Sequence, residues 1–128
     1  MRDHFLMTTF LLLLGSAAAA LPKPPWDIPK SDWGGAEPLN GPWMTADDYP
    51  IESIKEDEQG YVTIDFTIGI DGKITDCRII RSSGYRRLDV IPCNIMTRRA
   101  RFRPAVDAQG QPRPAHGTTS MMFWMPYE

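Results

Sequence analysis

YVTIDFTIGIDGKITDCRIIR, residues 61 to 81, decides how the rest of the chain is read. Val62, Ile64, Phe66 and Ile68 alternate with Tyr61, Thr63, Asp65 and Thr67, the period-two pattern of a strand with one buried face. GIDGK, residues 69 to 73, carries the Asp-Gly pair of a tight hairpin, so ITDCRIIR is the antiparallel partner. On that second strand Thr75, Cys77 and Ile79 share a face. If it is the core face, Cys77 points at whatever covers the sheet.

The segment that follows supplies the cover. Ser82, Ser83 and Gly84 read as a strand end turning toward a helix, with serine hydroxyls bonding nearby backbone and glycine allowing positive φ. Asp89 is placed to cap a helix in which Val90, Ile91, Cys93, Ile95 and Met96 recur at helical spacing up to Arg99. Pro92 then falls in the first turn, where its missing N–H is not needed. Cys93 lies on a turn facing the sheet, within reach of Cys77.

Outward from this unit, a short helix is expected from Pro50 to about Glu58, with Asp47 and Asp48 favouring its N-terminus. Ile51 and Ile54 are its inward candidates, and Gly60 can take the left-handed position after it. Residues 107 to 115 read as a polar loop. HGTTSMMFWM, residues 116 to 125, closes the chain as a third strand. Its buried face is undecided, because Met121, Met122, Phe123 and Trp124 are all apolar.

A chain of 128 residues has room for one domain. Residues 1 to 20, MRDHFLMTTFLLLLGSAAAA, have the charged start, apolar run and Ala-x-Ala end of a cleavable signal peptide. Residues 21 to 42 hold six prolines and three glycines, so an extended lead without regular structure is expected, with Trp26 and Trp33 free to pack back on the domain at 43 to 128. Export to an oxidising compartment makes a Cys77–Cys93 disulfide the expected use of the two cysteines.

Charge is uneven along the sequence. Leu21 to Cys77 carry four lysines against twelve acids, net −8, whereas Arg78 to Arg113 carry nine arginines against Asp89 and Asp107, net +7. Such a basic block suggests nucleic acid in a cytosolic protein, but an exported one meets little of it. The arginines are therefore read as solvated and partly matched by the acidic half.

The residue types that carry chemistry are few. Zinc needs three or four converging ligands, and Cys77, Cys93 and His116 follow no zinc spacing. A catalytic dithiol is usually C-x-x-C, unlike this wide pair. Ser82 and Ser83 have no G-x-S-x-G elbow around them, and Asp47 with Asp48 read as capping rather than as an acid–base pair. Met121, Met122 and Met125 are soft donors of the kind Cu(I) selects, but packing is their ordinary use. No catalytic residue, metal or cofactor is expected.

The order of segments, W-x-x-x-D-D-Y-P, then D-G-K-I-T-D (Asp71 to Asp76), S-S-G (Ser82 to Gly84), L-D (Leu88 and Asp89) and R-F-R-P-A (Arg101 to Ala105), resembles the TonB C-terminal domain. The resemblance covers about residues 43 to 125 and implies an α+β fold, with two helices on one face of a small three-stranded antiparallel sheet. It further implies a periplasmic binding role in which an outer-membrane transporter or another envelope protein adds a strand to a sheet edge. Ser120, Met121, Met122, Phe123 and Trp124 are the expected edge. The cleavable leader and short spacer point to a stand-alone module. A minimal transducer anchored in the inner membrane, and a structural or self-associating (homodimeric) domain, are the alternatives.

Overall fold

The computed structural model describes residues 23 to 126, so the expected signal peptide lies outside the described residues. In chain order the elements are β1 (Glu37–Pro38), a 3-10 turn (Ala46–Asp48), α1 (Ile51–Lys55), β2 (Gly60–Ile68), β3 (Ile74–Arg81), α2 (Arg86–Asp89), α3 (Ile91–Arg99), β4 (Phe102–Arg103), β5 (Ala105–Val106), β6 (Pro112–Arg113) and β7 (Ala115–Phe123). The main sheet is antiparallel with the order β3-β2-β7, and two small ladders, β1-β4 and β5-β6, stand beside it. This is the α+β arrangement expected, with the final strand beside β2 rather than beside the hairpin's second strand.

β7 pairs with β2 without a break, from Gly60 opposite Phe123 to Ile68 opposite Ala115. The ladder settles which face of β7 is buried: Ala115, Gly117, Thr119, Met121 and Phe123 turn inward with Val62, Ile64, Phe66 and Ile68. α3 lies over β3 and β2 and adds Ile95 and Met96, while α2 adds Leu88. Burial of these side chains is the main stabilising contribution, about 1.5–3 kcal/mol for each large apolar one.

Several local expectations are corrected. Thr75 is exposed and Ile74 is buried, because β3 carries an extra residue at Asp76, which takes φ 52° and shifts the pairing between Asp65 and Thr67. Such a bulge inverts the alternation, after which Cys77 again faces inward. α1 stops at Lys55, and Ile51 and Ile54 are exposed, whereas Ser53 is buried with its hydroxyl donating to Glu58 Oε1 at 2.7 Å. Asp57, not Gly60, holds the left-handed position after α1, and Gly60 opens β2. Asp89 is the last residue of α2 rather than the cap of α3.

The lead is less irregular than its composition suggests. Glu37 and Pro38 pair with Arg103 and Phe102, and Asp32 forms a bridge with Thr118. Trp33 enters the core against Phe102 at 5.2 Å and Trp43 at 5.8 Å between ring centroids. Packed structure therefore begins well before Trp43. Likewise the loop after β5 closes as a hairpin, with Asp107 Oδ1 accepting from the N–H groups of Gln109 and Gln111.

Candidate interaction edge

Two features place the edge. The first is the clamp between β3 and α3. Cys77 and Cys93 form a disulfide with Cα atoms 5.7 Å apart, which ties the bulged edge strand to the helix above it. Beyond the strand, the Ser83 N–H and hydroxyl donate to Asp89 Oδ1 at 2.8 and 2.6 Å, and the Ser82 hydroxyl donates to Asp89 Oδ2. Burial raises the Asp89 pKa, but these donors outweigh it and leave the carboxyl below its usual range. Both serines are thus held in a turn as hydrogen-bond donors to a carboxylate.

Ion pairs make the second frame, and they join the acidic half of the sequence to the basic half. Arg99 grips Asp48 with two bonds of 2.8 Å, and the bonds from Arg99 together with the Thr45 N–H hold Asp48 well below the ordinary carboxylate range. Arg78 donates to both oxygens of Asp65 at 2.7 and 3.1 Å, which lowers that carboxyl too. Arg103 reaches Glu37 at 2.6 Å. The Arg81 guanidinium sits 3.8 Å above the Tyr61 ring.

With β3 clamped by its bulges and the disulfide, β7 is the regular edge. Thr118 donates its N–H to Asp32 O at 2.8 Å and accepts from Asp32 N–H at 2.9 Å, so its backbone polar groups point away from β2. Antiparallel alternation makes those of Ser120 and Met122 point the same way. Among the described residues, Asp32 is the single backbone partner recorded on that side. Next to Ser120 and Met122 lies an apolar groove of about 290 Å³ between Pro42–Met44 and Thr119–Met122.

The five expected edge residues divide by face. Met121 and Phe123 send their side chains into the core, at 8 and 0 % exposure, so they offer a partner nothing but backbone. Ser120 and Met122 are half-buried on the outer face, where Ser120 Oγ bonds Thr63 Oγ1 at 2.8 Å. Trp124 stands just past the end of β7, and the Met125 N–H donates to Gln59 Oε1 at 2.7 Å. Sequence reasoning missed Asp32 and the wall at Pro42–Met44. The signal for Asp32 was the D-W-G-G run, whose Asp accepts from the Gly34 N–H at 2.9 Å.

Residues 45 to 125 match the family described as the Gram-negative bacterial TonB protein C-terminal. The chain belongs to that family. Among solved structures, the TonB C-terminal domain of Pseudomonas aeruginosa, determined in solution by NMR, is similar at 24% identity and a TM-score of 0.57, covering 73% of this chain and 90% of that one. That likeness concerns the fold. Among curated proteins none matches. As a TonB C-terminal domain the chain falls among interaction domains of the Gram-negative envelope that take part in TonB-dependent transport.

Proposed function

We propose that this TonB-type domain is an exported, stand-alone periplasmic module without catalytic activity, and that it pairs the open end of β7 with an extended segment of an outer-membrane transporter or another envelope protein. The observation that carries this reading is the Asp32–Thr118 bridge: the outer side of β7 already accepts one antiparallel residue, and the groups of Ser120 and Met122 continue the same row. The groove at Pro42–Met44 offers room for an inward-pointing side chain of the added strand. The clamp on the other edge favours β7, because bulges and charged side chains blunt β3.

Titration calorimetry with peptides from transporter plug domains tests it. Met122→Pro removes an N–H that faces away from β2, so the β2-β7 ladder survives while strand addition is lost. A folded Met122→Pro protein that binds as well as the unsubstituted one places the partner elsewhere.

A further inference from the structure

The lead segment touches β7 and its surroundings at three points. Asp32 makes its two backbone bonds to Thr118 on the edge. Ser31 Oγ lies 2.7 Å from Thr119 Oγ1. Trp26 stacks at a tilt on Tyr61, with ring centroids 6.2 Å apart, and Tyr61 is the residue of β2 directly opposite Met122. Tyr61 lies on the outer face of the sheet yet is only 8 % exposed, closed in by Trp26 and by the guanidinium of Arg81.

The lead therefore runs from the level of Met122, where Trp26 sits against Tyr61 of β2, to Thr118 on the β7 edge. The direction is antiparallel to β7, as the Asp32 bridge requires. Six residues from Trp26 to Asp32 reach roughly 20 Å at full extension. The four-residue step along β7 is roughly 14 Å, and a perpendicular sideways offset of roughly 5–10 Å makes the span roughly 15–17 Å. That leaves the segment roughly 3–5 Å of slack between its two anchors. Yet Asp27 to Lys30 make no hydrogen bond among the described residues, so between its two anchors the lead does not pair with β7.

We propose that the lead from Trp26 to Asp32 is an intramolecular occupant of the β7 edge, and that a partner strand gains its full pairing length only by displacing it. The inference rests on the reading that the partner adds to this edge. It specifies that reading further: the added strand runs antiparallel to β7, in the register that Asp32 now holds, and pairs at Met122, Ser120 and Thr118. Tethering gives the lead a high local concentration despite its few bonds, so it competes without closing the edge permanently.

Two variants of the full chain release the lead from its two ends. Asp32→Pro removes the N–H that reaches Thr118, and Trp26→Ala removes the contact with Tyr61. Neither alters β7. Titrated with the plug-domain peptides, each is expected to bind about ten-fold tighter than the unsubstituted protein, the scale of one or two net hydrogen bonds. Bound peptide should then slow exchange of the Thr118 amide as well as those of Ser120 and Met122. Peptide binding of unchanged or weaker affinity in both variants overturns the inference and leaves the edge reading standing. Peptides that bind neither the variants nor the unsubstituted protein overturn the edge reading, and the inference with it.

Discussion

Gly117 sits directly opposite Phe66 on the buried face of the sheet, and a Cβ on Gly117 would lie 2.4 Å from Cε2 of the Phe66 ring. The ring is 1 % exposed and has Trp33 at 6.3 Å on another side, so it has nowhere to retreat. One missing methyl group thus lets β7 carry the lead's tryptophan and the sheet's phenylalanine in one layer. Gly117→Ala should destabilise the domain by roughly 1–3 kcal/mol, the usual cost of overpacking a core. Urea denaturation measures it. Phe66→Leu in the same chain should recover part of the loss, and strictly additive costs would show that the two side chains do not compete for space.

The disulfide closes a loop of 16 residues and joins the strand that is least regular to the helix that covers it. Cys77→Ser with Cys93→Ser, or reduction in urea, should lower stability by roughly 3 kcal/mol by the loop-entropy argument. Because the unbroken β2-β7 ladder does not include the clamped strand β3, it should remain the best protected part of the reduced protein. Amide exchange tests that: uniform loss of protection across β2, β3 and β7 would mean the clamp holds the whole domain together.

Much of this was legible from residues 61 to 81, where a period-two run, an Asp-Gly turn and a cysteine are local signals. What escaped was set by non-local geometry. The bulge at Asp76 depends on one residue entering the left-handed region, which no hydrophobic count reveals, and it reversed Thr75 and Ile74. The helical period of Ile51 and Ile54 promised a buried face, but a helix of five residues needs only Ser53 beneath it. Asp89 had the right chemistry for a cap and spends it on the two serines before α2. The last strand, which holds Ser120 to Phe123, was read from its place in the chain, while Asp32, which bridges Thr118, sits 86 residues away in a segment rich in proline and glycine.

The last prediction concerns acid. Asp48, gripped by Arg99, and Asp65, gripped by Arg78, both hold their protons less tightly folded than unfolded. A carboxyl with a lowered folded pKa contributes stability that is complete above its unfolded value of about 3.9 and drains away as pH falls toward the folded value. Between about pH 5 and about pH 2 the protein should therefore lose stability steadily, with protons taken up on unfolding. Asp48→Asn and Asp65→Asn should each be less stable than the unsubstituted protein at about pH 7, and the gap should narrow as pH falls toward about 2. Urea midpoints across this range decide the matter, since a variant whose curve stays parallel to the unsubstituted one has lost something other than a charge pair. The gap should narrow by more for Asp48→Asn, because Arg99 is joined there by the Thr45 N–H, at 2.7 Å, whereas Asp65 relies chiefly on Arg78.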